Sequence, residues 1–412
     1  MKNGVWRVKL NKVIMAAALL SLLGMPNCFS QVPANNRMAL SQLDNSAGFP
    51  DLEPGGAIIP PPTTIKSIQT SGSGFGSGFT MPCWWKDCYS LPKTIESLTK
   101  LSQTGARWVV LTPTWFMNAA SDSYMQATDG TPTDDSLRVA IRKAKSLGLL
   151  VSLKPHVDVK NDIRFNLNPA DQKAWFKSYR VMVLQYARLA AAEKVDIFVV
   201  GTELFHVDGP TNYDDWKSLI AAVRAVYSGS LTYAADWYNF PRVTFWDQLD
   251  YIGIDCYFPQ VSSYYIVMQA GWQSYKLLVA PVAALYGKQV IFTELGISSQ
   301  EGANRQPWEW KEIGPVDLKV QSDYFESLLS VFGDTSWFAG FWQWGWEINP
   351  DGGGANDKGM TVQGKPALDV LIRHFTAAAN KLASCEEASV YSPVLPKYQH
   401  SLFQKHKQLR PI

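Results

Sequence analysis

The sequence predicts an α/β fold, a (β/α)8 TIM barrel in a single domain, and three observations support this prediction. From about residue 79, short runs rich in Val, Ile, Phe, Tyr and Trp alternate with longer segments of helical periodicity. Eight such runs occur, which is the number of strands that a TIM barrel requires. A doubly wound open sheet is the rival architecture, but the Gly-rich first turn that it normally carries is missing.

The predicted strands are short and apolar, and several of them end on polar or aromatic residues. In chain order they are "FTMPCWW" from residue 79, "ARWVVLTPTWF" from 106, "LLVSLKPHV" from 149, "DIFVVGTEL" from 196, "LTYAADW" from 231, "YIGIDCYF" from 251, "QVIFTELG" from 289 and "FAGFWQWGW" from 338.

The segments between the strands carry helix signals. An Asn cap and Pro169 at the first helical position begin the segment 168–194, while Gly148 and Gly229 end two other segments. The segment 365–383, after the eighth strand, has the same helical period. The fifth linking segment, "TFWDQL", is short and gives only a weak signal.

The N-terminus has the pattern of an export signal. Four basic residues precede the apolar run "VIMAAALLSLLGM", which stops near Pro26. We therefore predict a signal peptide over residues 1–30 and an exported protein, either periplasmic or secreted. A membrane anchor and a lipoprotein acylated at Cys28 are the alternatives, although the apolar run is short for a membrane span.

Composition divides the remaining chain into three parts. Residues 31–76 are rich in Pro, Gly, Ser and Asn, and we expect a flexible lead-in there. The predicted barrel, a single catalytic domain, spans residues 77–385. Residues 386–412 are polar and are expected to form a C-terminal tail.

Charge and composition exclude several classes of function. Removing the first 30 residues, with their four Lys or Arg and no acidic residue, changes the net charge from +2 to −2, so no charge excess attracts the chain to nucleic acid. No further apolar run is long enough for a membrane span. The chain has five His and no HExxH pattern, so neither a metal site nor a cofactor is expected.

The cysteines that follow the predicted signal match no zinc or CxxC redox pattern. In an exported protein, Cys83 and Cys88 either close a local disulfide loop or remain two buried thiols. The sequence leaves the pairing of Cys256 and Cys385 open.

The residues that end the predicted strands are the candidates for function, because the active site of a TIM barrel forms at the carboxyl ends of its strands. A strand that runs apolar and then ends on a carboxylate gains nothing in the core, since burying an unpaired charge is costly. The strand-end residues are Trp84, Trp85, Trp115, Lys154, His156, Asp158, Thr202, Glu203, Asp236, Trp237, Asp255, Tyr257, Thr293, Glu294, Trp342, Trp344 and Trp346.

Glu203 and Glu294 stand out because each ends a strongly apolar strand. They belong to the fourth and seventh predicted strands, which places them across the mouth of the barrel from each other. Two facing carboxylates can hydrolyse a glycosidic bond, since one protonates the leaving oxygen while the other attacks or activates water. A salt-bridged structural role at the barrel rim is the alternative reading for either glutamate.

Several motifs in order resemble one family. The runs "SLKPHVDV", "FVVGTEL", "LTYAADW", "FWDQLDYIGIDCYFP", "VIFTELGISS" and "GFWQWGW" are similar to those of glycoside hydrolase family 113, over roughly residues 80–375. This family belongs to a large clan of retaining glycosidases built on the (β/α)8 barrel, and its known activity is endo-β-1,4-mannanase.

The resemblance implies a double-displacement mechanism with Glu203 as acid/base and Glu294 as nucleophile. It also implies that Tyr257 supports catalysis by donating a hydrogen bond to Glu294. One position departs from the wider clan, which usually has Asn immediately before the acid/base, whereas this chain has Thr202. Contact with the 2-hydroxyl of the sugar is therefore expected to be organised differently.

A polysaccharide is the expected partner, because sugar rings stack their apolar faces on aromatic side chains and bond polar groups through their hydroxyls. One of Trp344 and Trp346 is expected to form the floor beneath the reacting sugar. Asp255 either bonds a sugar hydroxyl or holds Lys154. The candidate substrate-binding residues are Lys154, His156, Asp236, Trp237, Asp255, Trp344, Trp346, Trp84 and Trp115. Core packing is expected for Trp108, Trp175 and Trp216.

The sequence leaves alternatives to an exported retaining endo-β-1,4-mannanase. An exo-acting β-mannosidase, or a hydrolase of another β-linked glycan, would use the same two glutamates. A barrel that binds a glycan without cutting it is an alternative of another class. The oligomeric state is open.

Overall fold

The computed structural model describes residues 76–390, with side chains over residues 76–378. The predicted signal peptide, nearly all of the lead-in and the tail beyond residue 390 lie outside the described residues. The strands of this part of the chain are β1 (Gly78–Pro82), β2 (Trp108–Thr112), β3 (Thr114–Met117), β4 (Leu150–Leu153), β5 (His156–Val159), β6 (Ile197–Thr202), β7 (Ser230–Asp236), β8 (Ile252–Asp255), β9 (Val290–Leu295) and β10 (Phe338–Trp344). Its α-helices are α1 (Pro92–Ser102), α2 (Asp134–Ser146), α3 (Gln172–Ala192), α4 (Tyr213–Arg224), α5 (Tyr265–Tyr286), α6 (Leu318–Phe332) and α7 (Pro366–Val390).

Eight of the strands close into a parallel barrel, in the order β1-β10-β9-β8-β7-β6-β4-β2. A helix follows every barrel strand except β7, after which two short 3-10 turns, Phe240–Arg242 and Phe245–Gln248, lead to β8. The segment "TFWDQL", whose helix signal is weak, lies in this link. The prediction of a (β/α)8 barrel is confirmed.

The second and third predicted strands each divide in two. Pro113 separates β2 from β3, and Pro155 stands between β4 and β5, because proline has no backbone N–H and disturbs the residue before it. β3 and β5 then pair with each other as a parallel two-stranded sheet beyond the carboxyl ends of β2 and β4. This sheet carries His156 and Asp158.

Two apolar clusters hold the barrel together. The inner cluster fills the barrel itself and includes Trp108 and Trp342. The outer cluster lies between the strands and the helices and includes Trp175 and Trp216, both fully buried. The prediction that Trp108, Trp175 and Trp216 belong to the core is confirmed.

The helix α7 continues to Val390, beyond residue 385, where the sequence suggested that the domain ends. Among the described residues, no helix is both long enough and apolar enough to cross a membrane.

Gly201 of β6 lies where aromatic side chains of the outer cluster approach the backbone. A Cβ at this position would come within 2.8 Å of Tyr179 Oη and 2.9 Å of both Trp216 Cη2 and Tyr233 Cε2. We expect Gly201→Ala to lower the free energy of unfolding by about 2 kcal/mol or more, because buried rings cannot move aside. Urea unfolding would measure this, with Gly209→Ala as the control.

Gly209 suits this control because its φ is −77° and the nearest atom to an added Cβ is 3.9 Å away. Equal stability of Gly201→Ala and the control would contradict the tight packing described for β6.

Candidate active site

Two glutamates lie at the carboxyl ends of barrel strands. Glu294 is the fifth residue of β9, and Glu203 immediately follows β6. β7 and β8 lie between these two strands in the barrel, so the carboxylates face each other across the mouth. Their charges interact, since the negative charge of Glu294 raises the pKa of Glu203.

The backbone presents Glu203 in a strained conformation. Its φ is 52°, in the left-handed region that costs a residue with a Cβ roughly 1 kcal/mol or more. Its N–H donates to Ala234 O (2.8 Å) on β7. The next N–H, of Leu204, donates to Tyr233 Oη (2.9 Å), which in turn donates to the buried carboxylate of Asp208 (2.9 Å). These bonds hold the turn in place.

Both oxygens of Glu294 accept hydrogen bonds. Lys154 Nζ donates to Oε1 (2.5 Å), and Tyr257 Oη donates to Oε2 (2.7 Å). The carboxylate is therefore fixed in orientation at the mouth. The tyrosine is placed as the resemblance implies.

Lys154 is fully buried and is also paired with Asp255. Its Nζ donates to both carboxylate oxygens of Asp255 (3.1 and 3.2 Å), and Thr293 Oγ1 donates to Oδ1 of the same carboxylate (2.7 Å).

This arrangement corrects the expected substrate contacts of Lys154 and Asp255. Neither side chain has any exposed surface, because both point into the barrel below the mouth. A buried cation requires paired carboxylates, and Glu294 is one of them. Of the two roles left open for Asp255, holding Lys154 is the one observed.

Arg164 is a site residue that the sequence did not reveal. It lies in a short 3-10 turn after β5 (Arg164–Asn166), and its guanidinium donates to Asp158 Oδ1 from Nε (3.0 Å) and from Nη2 (2.6 Å). Nη1 donates to Glu203 Oε2 (3.2 Å). Burial alone would lower the pKa of Arg164, but the charges of Asp158, Glu203 and Glu294 raise it overall. No motif spacing distinguishes this arginine from others in loops.

The surroundings make Glu203 an acid at neutral pH. Burial, followed by the negative charge of Glu294, raises the pKa of Glu203 to about 8. The positive charge of Arg164 lowers it in part. A carboxylic acid that keeps its proton near pH 7 can protonate a leaving group.

His156 is buried at the mouth between charged and aromatic neighbours. Its Nδ1 is 2.8 Å from Arg164 Nη2, and its ring lies parallel to that of Trp344, with centroids 5.9 Å apart. Within the described part of the chain, its Nε2 has no hydrogen-bond partner, and it is 3.9 Å from Glu294 Oε1. Burial, and then the charges of Arg164 and Lys154, lower the pKa of His156 well below its usual value.

Trp344 and Trp84 form one aromatic flank of the mouth. Their ring centroids are 6.5 Å apart, and 46% of the surface of Trp84 is exposed. A disulfide between Cys83 and Cys88 closes the loop that carries Trp84 and its exposed neighbour Trp85. This is the local disulfide that the sequence had left as one of two alternatives, while Cys256 is a free, buried thiol.

Trp237, at the end of β7, forms the opposite flank. It stacks on Trp308, with ring centroids 5.9 Å apart and planes inclined by 11°. Trp308 and Trp310, in the loop after β9, are exposed and were not predicted. Asp236 is the residue before Trp237, and burial raises the pKa of its carboxyl to about 7.

The expected contact of Trp346 with substrate is corrected by the structure. Trp346 is only 3% exposed, packs on Phe79 and donates from Nε1 to Ser97 Oγ (2.9 Å). Side chains two residues apart point to the same side only inside a strand. Because β10 ends at Trp344, this rule does not extend to Trp346.

The expected contact of Trp115 with substrate is also corrected by the structure. Its Nε1 donates to Tyr186 Oη (3.0 Å) on α3. Its neighbour in the β3–β5 register is Val157, a buried core residue, so the indole faces the helices rather than the mouth.

Among the described residues, no group of three or more His, Cys, Asp or Glu is arranged to hold a metal ion.

We expect Trp346→Ala to lower the free energy of unfolding by about 3–5 kcal/mol, because it empties a buried site and leaves the Ser97 hydroxyl without its indole partner. Trp344→Ala, at a partly exposed position, should cost clearly less. Urea unfolding of both variants tests this, and equal losses would contradict the placement of Trp346 in the core.

Comparisons with known proteins agree with this geometry. The sequence model of Glycoside Hydrolase Family 113 matches residues 82–365. Among solved structures, the GH113 β-mannanase AaManA from Alicyclobacillus acidocaldarius, in complex with ManMIm, is 27% identical with a TM-score of 0.69, and the match covers 76% of this chain and 100% of that one. A second GH113 β-1,4-mannanase is 29% identical with a TM-score of 0.67, covering 74% of this chain and 99% of its own.

No curated protein matches the chain. The family match nevertheless spans more than half of the sequence and includes both glutamates, Tyr257 and His156. The resemblance noted from the motifs is confirmed. This chain belongs to glycoside hydrolase family 113 and is a glycoside hydrolase.

Proposed function

We propose that the chain is a retaining endo-β-1,4-mannanase that acts by double displacement. The unequal surroundings of Glu203 and Glu294 carry this proposal. Glu294 accepts hydrogen bonds from Lys154 and Tyr257, whereas Glu203 has a pKa raised to about 8. One carboxylate is thus equipped as nucleophile and the other as acid. The β-mannanase relatives support a mannan-type substrate.

In the first step, a carboxylate oxygen of Glu294 attacks the anomeric carbon as the glycosidic C–O bond breaks. Glu203 gives its proton to the leaving oxygen and becomes a carboxylate. In the second step, Glu203 removes a proton from a water molecule, whose oxygen attacks the anomeric carbon. The ester bond breaks, Glu294 returns as a carboxylate, and the configuration of the sugar is retained after two inversions.

The distribution of aromatic residues supports cleavage within a chain rather than at its end. Trp84 follows β1 and Trp237 follows β7, and these strands lie opposite each other in the barrel order. Aromatic surfaces on two opposite sides of the glutamates suit a glycan that extends in both directions.

Two features support action after export. The first is the N-terminal pattern of basic residues followed by a short apolar run. The second is the disulfide between Cys83 and Cys88, a bond that persists in oxidising compartments. On this basis, we propose that the enzyme works in the periplasm or the medium.

The identity of the nucleophile can be tested with Glu294→Gln. This change keeps the size of the side chain but removes the attacking oxygen anion, so turnover of β-1,4-mannohexaose should fall by at least about a thousandfold. Chromatography and proton NMR would follow product size and anomeric configuration, with a cello-oligosaccharide as substrate control. Glu96→Gln, at an exposed position on α1, is the matched control.

Early release of mixed β-configured oligomers from the wild type supports the proposal. Release of mannose alone would contradict endo action and indicate an exo-acting enzyme. Cleavage of the cello-oligosaccharide alone would show that the substrate is not a mannan but another β-linked glycan. Binding without turnover in both wild type and variant would identify a non-catalytic glycan-binding barrel.

The pH dependence of kcat/KM tests the role of Glu203. The acid must be protonated to act, so kcat/KM on mannohexaose should fall as the pH rises through about 8. With a 2,4-dinitrophenyl β-mannoside, whose leaving group needs no proton, this alkaline fall should vanish. An alkaline fall that is the same for both substrates would contradict the acid role.

A further inference from the structure

Arg164 links the proposed acid to a buried histidine. The guanidinium is held from behind by Asp158 Oδ1 and by the backbone oxygen of Val157, 3.0 Å from Nε. Its remaining N–H groups point to His156 Nδ1 and to Glu203 Oε2. Arginine and carboxylate pair in a planar fork, so these contacts leave the guanidinium little freedom.

The contact with Arg164 decides which nitrogen of His156 carries the proton. A guanidinium has only donors and stays protonated at all accessible pH values, so Nδ1 at 2.8 Å from Nη2 must be the acceptor. The neutral ring then carries its proton on Nε2. A doubly protonated ring would turn two N–H donors toward each other at this distance.

Among the described residues, the Nε2–H of His156 has no hydrogen-bond partner. It is buried, and Glu294 Oε1 lies 3.9 Å away, beyond hydrogen-bond distance. An unsatisfied buried donor is costly unless a ligand completes it. The hydroxyl next to the anomeric carbon of a bound sugar would lie close to the oxygens of Glu294.

The residue before Glu203 is Thr202, whose side chain has no N–H group. A hydroxyl can donate in its place, but only one direction at a time and without the fixed geometry of a planar group. His156, fixed by Arg164 on one side and stacked on Trp344 on the other, supplies an oriented N–H donor.

We propose that Arg164 is a positioning residue that fixes His156 as the Nε2–H tautomer, so that this N–H recognises the 2-hydroxyl of the sugar attacked by Glu294. This role rests on the proposed function, because it assumes that Glu294 is the nucleophile of a β-glycoside. Through its contact with Glu203 Oε2, Arg164 also lowers the pKa of Glu203.

The charged and titratable groups that face Glu203 come from several elements. They are Arg164 from the loop after β5, Glu294 from β9, Asp236 from β7, Lys154 from the end of β4, Asp255 from β8, and Tyr238 and Tyr257, which follow β7 and β8. Arg164 is the cation in direct contact with the carboxylate, so its loss should move the alkaline limb of kcat/KM to higher pH.

The first measurement needs no turnover. The chain has five histidines, so selective ¹⁵N labelling gives few imidazole signals, and His156→Gln assigns the relevant one. We expect Nε2–H for His156 in the wild type and a mixture of tautomers, or a titrating ring, in Arg164→Gln. The double variant Asp158→Asn/Arg164→Gln removes both charges of this ion pair, and it replaces Arg164→Gln in the measurement if the single variant does not fold. An Nδ1–H ring in the wild type, or a tautomer unchanged in the variants, would overturn the proposal.

The second measurement isolates the hydroxyl contact from proton donation. Substrates are a 2,4-dinitrophenyl β-mannobioside and its analogue without the 2-hydroxyl on the reacting sugar. On the parent, Arg164→Gln and His156→Gln should each lower kcat/KM about tenfold or more, and the double variant should be little worse than either. On the 2-deoxy analogue, which the wild type should already cleave about tenfold more slowly, both losses should nearly disappear.

Arg142→Gln is the matched control, since this arginine forms an exposed pair with Glu193 and should change neither readout. Equal losses on both substrates would show that Arg164 acts only on folding or on Glu203, and would overturn the role assigned to His156. Failure of the wild type to cleave either substrate would instead refute the proposed function, while the tautomer measurement would still decide what Arg164 does to His156.

Discussion

The site depends on one buried cation. Lys154 lies below the mouth with no exposed surface, and such a charge is tolerated only when carboxylates surround it. Asp255 and Glu294 supply them, from the adjacent strands β8 and β9. The pairing fixes the position of Glu294 from beneath and leaves its carboxylate at the mouth. In the proposed mechanism Glu294 loses its charge as an ester, and Asp255 then remains to hold the lysine in place.

The two glutamates differ because their neighbours differ. Glu294 takes two strong hydrogen bonds, whereas Glu203 has a single contact with Arg164, itself shared with Asp158 and His156. Burial and the repulsion between the two carboxylates then favour the protonated form of Glu203. The proposed division into acid and nucleophile thus follows from the positions of Lys154 and Arg164, since the residue types at the two positions are identical.

Some of the aromatic residues near the active site line the mouth, and others pack beneath it. Trp344 stacks on His156 and contacts Trp84, while Trp237 and Trp308 stack on the far side of the barrel. Two other tryptophans that the sequence predicted at the mouth instead pack against the helices. Trp346 donates its indole N–H to Ser97, and Trp115 donates its indole N–H to Tyr186; both partners lie on helices.

The sequence by itself determined the barrel and the two glutamates at the ends of its strands, and the resemblance to the family implied the tyrosine beside Glu294. Periodicity and strand ends are local properties, and a parallel barrel brings its carboxyl ends together whatever its loops do. Only the tertiary structure decided that Lys154 and Asp255 support Glu294, that Arg164 reaches Glu203, and that Trp346 turns into the core. These outcomes depend on where each strand stops, as at Pro155 and Trp344, and on loops that fold back over the mouth, because side-chain direction is predictable only inside a regular strand.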